Sequence, residues 1–384
     1  MSVICRVVDQ LKITGRGWVF VVYLEDENSI LHVDDILFDL AGNRYRIKGI
    51  EMMRKLLSDA DEDCMKNIGL VFEPLDNDRL QGTILIRDPE PLNFLFCNHP
   101  LYKRKVDEDY EEEYEQATSK SPCALFSYED LEEGKLSLYG DEITGLTVYR
   151  GWMMKPDLYR RFYELLKERG IMLINSPEEY ERYHLLPGWY EEFKDETAES
   201  VWTEGRDLQD VLDLAKDMTG PYIIKDYVKS RKHEWYDACY IPDIQKKEEV
   251  SKIVENFIER QDDDLVGGVV LRRFLKLNSI GSHDQSGMPI SEEYRVFVLG
   301  GRILMMDDYW RKNGEISFTD EENAWIESVA ASIKSNFVTV DIARKEDGKL
   351  VIMELGDGQV SGLQQIQPDD FYKAFERRES LNEA

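Results

Sequence analysis

The sequence predicts an α+β protein in which a small N-terminal β-barrel precedes a larger α/β unit. Two observations carry this. Residues 3 to 87 break into short runs rich in β-branched and aromatic residues (VICRVV, WVFVVYL, ILFDL, RYRIKGI, IGLVFEPL and TILIR), divided by turn signals such as Thr14-Gly15-Arg16-Gly17 and Ala41-Gly42-Asn43. Short strands at this spacing suggest a barrel. From about residue 123 onward, amphipathic helical patterns alternate with strand-like segments. The 384 residues are enough for two or three domains of roughly 100–200 residues each.

In chain order, the barrel occupies residues 1–88. Residues 89–122 contain prolines and the run DEDYEEEYEQ, in which seven of ten positions are acidic, and read as an acidic linker or exposed helix. A helix follows Pro156, with Tyr159, Phe162, Tyr163 and Leu166 on one face and Gly170 at its end. A second runs from the N-cap Asp207 to about 218 with Leu208, Val211, Leu212 and Ala215 inward, and a third carries Val250, Ile253, Val254, Phe257 and Ile258. The fourth opens at the capping-box pattern Thr319 to Glu322 and buries Ile326, Val329, Ala330 and Ile333. Between them lie ITGLTVY, IMLIN, YIIKD, GGVVLRRFL and YRVFVLGGRILM as strands.

Composition excludes several classes. A 42% hydrophobic content with 11% aromatics supports a packed core, and no run approaches the ~18 apolar residues of a membrane span. No secretory signal opens the chain, and five scattered cysteines without CxxC spacing predict a reducing, cytoplasmic setting rather than a disulfide framework or zinc site. The net charge of −29 repels phosphodiester backbones, so RNA is disfavoured as a general partner.

The chemistry concentrates near the C-terminal end. VTVDIARKEDGKLVIMELGDGQVSG reads as a hairpin turning at Asp347-Gly348. With a two-residue turn centred there, Asp341 lies opposite Glu354, on a face shared with Thr339, Ala343, Ile352 and Gly356; Val338, Val340, Ile342, Val351, Met353 and Leu355 form the apolar face. Opposed carboxylates repel. Either they face solvent, where screening makes repulsion cheap, or they bind a divalent cation such as Mg²⁺. Upstream, Lys225 sits in the apolar run YIIKD, followed by Lys229; it snorkels to the surface or meets an anion. The adjacent Arg272 and Arg273 must point to opposite faces of a hydrophobic strand, so one of them requires an ion partner or an anionic ligand. Arg295, next to Glu293 in EYRVF, repeats the theme.

In this order, the strand lysine, LRRFL, EYRVF and the final Asp and Glu resemble the ATP-grasp superfamily over about residues 123–384. YRGWM, LINSPEEY, KDYVKSRKHEWYDACYIPD, EYRVF and MELGDGQVSGL are similar to a clade of it marked by two arginines and a lysine, for which peptide- or protein-modifying ligase activity has been proposed. The resemblance implies a pre-ATP-grasp substrate region at 123–205 and a nucleotide- and metal-binding domain at 206–384. It implies ATP and Mg²⁺ as cofactors, with Mn²⁺ as an alternative. Lys225, with Lys229 and Arg273, would contact the nucleotide, and the main chain of Phe274 and Leu275 its adenine edge. Arg272 and Arg295 would be catalytic, with Glu293 alongside; Asp341, Glu354 and Asp357 would hold metal. Arg150 in YRGWM is a candidate for the acceptor carboxylate, with an ordinary exposed arginine as the alternative. Two departures stand out: Gly356 occupies a position that is Asn in many ATP-grasp enzymes, and SRKHEW replaces a glycine-rich flap.

DQLKITGRGWVF, VDDILF, RYRIKGIEMMRKLLSDA and NIGLVFEPLDNDRLQGTILI resemble the second domain of elongation factor Tu and related translational GTPases. That barrel holds aminoacyl-tRNA in those factors, but residues 3–88 here carry 11 basic and 16 acidic residues, which favours docking of a protein or substrate. The functional expectation is an ATP-dependent carboxylate–amine ligase acting on a small molecule, peptide or protein. The alternative is a nucleotide-sensing adaptor with little turnover.

Overall fold

The computed structural model describes residues 4–14, 17–25, 30–52, 67–73, 80, 82–87, 92–283, 285–310 and 316–380. Cys64, the RKLLSDA stretch at 54–60, Gly15 and Arg16 of the first turn, and residues 88–91 at the boundary between barrel and acidic segment lie outside them.

Strands β1 (Ile4–Ile13), β2 (Gly17–Leu24), β3 (Ile36–Asp39), β4 (Arg44–Met52), β5 (Asn67–Phe72) and β6 (Ile84–Ile86) close an antiparallel barrel in the order β1-β2-β5-β4-β3-β6. Alternation along each strand turns Val7, Phe20, Val22, Leu37, Ile47, Leu70 and Leu85 into its interior. These are the six runs read from the sequence.

The second layer is a five-stranded sheet, β11-β10-β7-β8-β9, made of β7 (Asn93–Cys97), β8 (Cys123–Phe126), β9 (Leu138–Gly140), β10 (Gly145–Arg150) and β11 (Ile171–Leu173). All but the antiparallel edge strand β9 run parallel. Its connections include α1 (Glu111–Thr118), α2 (Tyr128–Glu132) and α3 (Pro156–Lys167), and α4 (Pro177–His184) and α5 (Leu186–Phe193) follow it. The expected acidic linker at 89–122 is corrected here. Near its start, NFLFC is wholly buried as the central strand β7, a continuous run of the kind parallel sheets require. Its acidic run forms α1, with only Glu113 and Ala117 buried.

Two four-stranded sheets complete the chain. β12 (Ser200–Trp202), β15 (Val269–Arg273), β13 (Tyr222–Asp226) and β14 (Tyr240–Ile241) form the first, in that order, packed against α6 (Leu208–Ala215), α7 (Trp235–Ala238) and α8 (Lys247–Gln261). A hairpin of β16 (Ser279–Ser282) and β17 (Pro289–Ser291) leads into the second sheet, β19-β18-β20-β21, built from β18 (Glu293–Leu299), β19 (Arg302–Asp308), β20 (Phe337–Arg344) and β21 (Leu350–Asp357). Helix α9 (Asp320–Ser332) starts at the full capping box of Thr319 and Glu322 and lays Ile326, Val329 and Ala330 on Val296, Val298, Val338 and Val340. Helix α10 (Pro368–Ser380) closes the chain.

The barrel is fused to this body rather than tethered to it. Leu40, Ile84 and Ile86 belong to the same core as Phe94, Phe96, Phe297, Leu299, Phe337 and Phe371.

The final hairpin places Asp341 opposite Glu354 by a route the sequence did not reveal. The turn is a three-residue loop in which only Gly348 takes a positive φ, +85°, and Arg344 pairs with Leu350. That register alone would miss the Asp341–Glu354 pairing by one residue. A bulge between Asp341 and Ile342 inserts Met353 as an extra residue and restores it. It also turns Ile352 onto the apolar face beside Ile342, correcting the expectation that Ile352 shares a face with Glu354.

Candidate active site between the two four-stranded sheets

Lys225 is the penultimate residue of β13. The turn after it is fixed by the buried Asp226, whose Oδ1 accepts the N–H groups of Val228 (2.6 Å) and Lys229 (2.5 Å) and whose Oδ2 accepts from Gln261 Nε2 (2.9 Å). Held this way, Lys225 is 8% exposed and reaches across to the second sheet, where its Nζ donates to Glu354 Oε1 at 2.5 Å. It does not snorkel to solvent.

On the opposite sheet Arg295, Asp341 and Glu354 occupy one rung of β18, β20 and β21. Arg295 grips Asp341 bidentately, Nε to Oδ1 at 2.8 Å and Nη2 to Oδ2 at 2.7 Å, donates from Nη1 to the Gly362 carbonyl and lies over Tyr309 at 4.8 Å. The acid pair therefore does not repel in isolation: each carboxylate has its own cation. Burial alone would raise the Glu354 carboxyl, but Lys225, Lys232 and Arg272 outweigh it and hold it below its usual range.

Lys232 is the residue the sequence reading left unassigned. It comes from SRKHEW, places Nζ over the rings of Tyr309 (5.8 Å) and Trp310 (5.7 Å), and is held in its charged form, above its ordinary range, by Tyr309, Glu293, Glu354 and Asp341 against the opposing effect of burial. Its signal was the cationic segment standing where a flap was expected. Glu293 sits at the same edge, where burial raises its carboxyl and Lys232 opposes that rise. His184, at the end of α4, is a second missed residue. The residue is 5% exposed, and burial keeps it neutral, lowering its pKa to about 4 with Lys229 and Lys225 assisting and Glu354 opposing. A lone histidine in YERYHLL offers no spacing from which to find it.

Several expected site residues lie elsewhere. Arg272 is in the wall but committed to the protein: its guanidinium donates to Ser200 Oγ (2.9 Å), Thr197 Oγ1 (2.8 Å) and the Met353 carbonyl (2.8 Å), tying β15 to the bulge beside Glu354. Burial lowers its pKa to about 10, with Glu354 opposing. Arg273 points the other way, to Glu199 and the Thr219 carbonyl over Tyr222. Lys229 is exposed beyond the Asp226 turn. The Phe274 N–H is taken by the Pro221 carbonyl, and its ring joins Trp235 and Tyr240 in an aromatic wall. Leu275 is half-buried next to it.

Asp357 and Arg150 are corrections. Asp357 is one residue out of phase with Glu354 and Gly356, so it faces away from the acid pair. It is fully buried, accepting from Asn175 Nδ2 (2.6 Å) and the Gln359 N–H (2.9 Å), and burial pushes its carboxyl up to about 7. Arg150 is 1% exposed, clamped bidentately by Glu113 at 2.9 Å and donating to the carbonyls of Gly358, Gln359 and Ser361. All its donor nitrogens are used within the protein, so it anchors the loop after β21 to α1 and presents nothing to an acceptor.

Among the described residues no three His, Cys, Asp or Glu side chains converge as a metal site. The carboxylates that could contribute to a site completed by other ligands are the opposed pair Asp341 and Glu354. Two hard carboxylates fit Mg²⁺, which commonly takes one or two from the protein and the rest of its ligands from phosphates and water. Gly356 is explained by packing: a Cβ there would meet Thr339 Oγ1 at 3.0 Å and Ser361 Oγ at 3.1 Å, two hydroxyls already bonded to each other at 2.7 Å.

No curated protein sequence matches the chain significantly. Among solved structures the backbone is similar to ATP-grasp ligase PsnB complexed with precursor peptide PsnA2 and AMPPNP (13% identity, 77% of this chain and 99% of that one, TM-score 0.46). It is also similar to a RimK domain protein ATP-grasp from Sphaerobacter thermophilus (12%, 75% and 98%, 0.48) and to the D-alanine-D-alanine ligase from Coxiella burnetii (10%, 77% and 97%, 0.48). A family model for the ATP-grasp domain, family 3 of the clade marked by two arginines and a lysine, matches residues 212–375, which span Lys225, Lys232, Arg295, Asp341 and Glu354. Residues 212–375 are an ATP-grasp domain of that clade.

Proposed function

We propose that the protein is an ATP- and Mg²⁺-dependent carboxylate–amine ligase. The observation that carries this is the rung Arg295–Asp341–Glu354, with Lys225 of β13 bonded to Glu354 and Lys232, from the segment after β13, electrostatically coupled to both carboxylates. In this reading the γ-phosphoryl group passes to a substrate carboxylate, giving ADP and an acyl phosphate. An amine then attacks the acyl carbon, the C–O bond to phosphate breaks, and an amide and inorganic phosphate leave. Held by Asp341 and Glu354, Mg²⁺ would supply charge neutralisation at the phosphates.

The chain's own groups position and neutralise. Lys225 and Lys232 offer ammonium groups to phosphate oxygens, Arg295 fixes Asp341 so that its carboxylate does not swing, and Arg272 holds the bulge that keeps Glu354 in register. The wall of Trp235, Tyr240 and Phe274 suits a flat base. Substrates of peptide or protein type remain part of the proposal, as does a cytoplasmic location.

One observation favours a second reading, a nucleotide-binding module with little turnover. Gly356 is packed too tightly for a third ligand to replace it, and Asp357 faces away, so the donor set stops at two carboxylates. ADP release from MgATP, measured against pools of amino acids and peptides with mass spectrometry for products formed by loss of water, separates the two. Amide product with ADP supports the ligase. MgATP binding without ADP under every acceptor supports the module and overturns the ligase.

A further inference from the structure

A second recess, of about 1120 Å³, opens between the barrel and the last sheet, away from the acid pair. One wall is the β3–β4 turn with Asn43 and Arg44, together with Thr83 before β6; the other is the β18–β19 turn with Arg302, and the end of α9 with Glu327 and Lys334. The two walls are locked where they meet. Gly300, at φ +57°, comes so near the barrel that a Cβ would lie 3.0 Å from the Ala41 nitrogen, and Arg302 Nη2 donates to Asn43 Oδ1 at 2.6 Å. The recess is therefore a fixed feature of the fusion.

Its charge is opposite to that of the chain. Against a net charge of −29, the cleft presents Arg44, Arg302 and Lys334, and the carboxylate facing them is Glu327. The other acid, Asp39, is saturated by the N–H groups of Ala41 and Asn43, by Asn43 Nδ2 and by the Tyr45 hydroxyl. Among the described residues no carboxylate lies within ion-pair distance of Arg44 or Arg302, both of which are exposed; Lys334 reaches Glu192 only at 3.7 Å. In the acid-pair site and in the clamps around it, by contrast, arginines such as Arg150, Arg295 and Arg344 are matched to carboxylates.

We infer that this cleft binds a small, multiply charged oxyanion of the phosphate or polycarboxylate class, with Arg44 from the barrel and Arg302 from the hairpin as its forked donors. Guanidinium groups suit such anions because their donors lie in one plane and bond two oxygens at once. The C-terminal end of α9 disfavours negative charge on its own wall, which assigns the anion to the barrel–hairpin side. A ligand held there bridges the barrel to the hairpin whose β18 strand carries Arg295, and gives the barrel a binding role independent of the ligase reading.

The test is calorimetric titration of the full chain with pyrophosphate and, separately, citrate. Pyrophosphate can also enter the acid-pair site, so the background is Lys225→Ala, which removes a phosphate-facing cation there and leaves the cleft intact. Saturable binding in that background, weakened about tenfold by Arg44→Gln or Arg302→Gln, about 100-fold by both, and partly restored by Arg302→Lys, supports the inference. Pyrophosphate alone identifies the phosphate class, citrate alone the polycarboxylate class. Absence of binding of either anion at millimolar concentration in the Lys225→Ala background, or binding unchanged by the double arginine variant, overturns it. Both arginines are exposed, and matching urea midpoints would show that the variants are folded.

Discussion

Replacing Arg295 with Met tests whether the acid pair is balanced residue by residue. Arg295 supplies both hydrogen bonds to Asp341, at 2.8 and 2.7 Å, and Asp341 is 5% exposed with Glu354 directly opposite. Removing the guanidinium leaves a buried carboxylate without its partner beside a second one, a change that typically costs about 3–5 kcal/mol. The Met chain fills most of the space of the Arg stem, so packing loss adds little. Asp341→Asn in the same background removes the stranded charge and should recover about half or more of the loss. The assay is a double-mutant cycle on urea unfolding in the absence of nucleotide, where contacting residues show coupling and distant ones add. A coupling energy of about 2 kcal/mol or more is expected. Additive losses, or an Arg295→Met cost under about 1 kcal/mol, would refute the reasoning.

Three further residues have measurable roles. Arg150→Met strands Glu113 and frees the carbonyls of Gly358, Gln359 and Ser361, so it should lower stability by about 3–5 kcal/mol in a urea titration, an effect an exposed substrate-binding arginine would not have. Asp357 sets a pH dependence. Its carboxyl titrates near 7 when folded against 3.8 as the ordinary value, so its contribution is full below about 3.8, declines as the unfolded chain loses its proton first, and is gone above about 7. The stability of the wild type minus that of Asp357→Asn should therefore fall between pH 4 and pH 7, by up to about 4 kcal/mol; a flat difference would contradict it. Lys232→Met should weaken ATP binding about tenfold and lower the urea midpoint less than Arg295→Met does, since Lys232 offsets the charge of Glu354 and Glu293 without an ion pair to either among the described residues.

Much of the fold was legible because the patterns were local. The six barrel strands, the helices starting at Pro156, Leu208 and Lys247, and the capping box at Thr319 each announce themselves within a dozen residues. What misled was composition read without tertiary context. NFLFC, set between prolines and an acidic run, looked like part of a linker and is the central strand of a sheet. The acid pair, Lys225 and Arg295 were found because charge embedded in apolar strands must be compensated. The same rule could not distinguish a site from a clamp: Arg150, Arg272 and Asp357 satisfy it with backbone carbonyls, Glu113 and Asn175, partners far away in sequence. Lys232 and His184 became visible only when two sheets from distant segments faced each other.

The central claim is that Asp341 and Glu354 hold a divalent cation for a nucleotide. Calorimetric titration of ATP into the wild type and into the Asp341→Asn, Glu354→Gln double variant, each with and without Mg²⁺, tests it most directly. The account predicts that Mg²⁺ strengthens ATP binding to the wild type and has no such effect on the variant. Equal Mg²⁺ dependence in both proteins would contradict it.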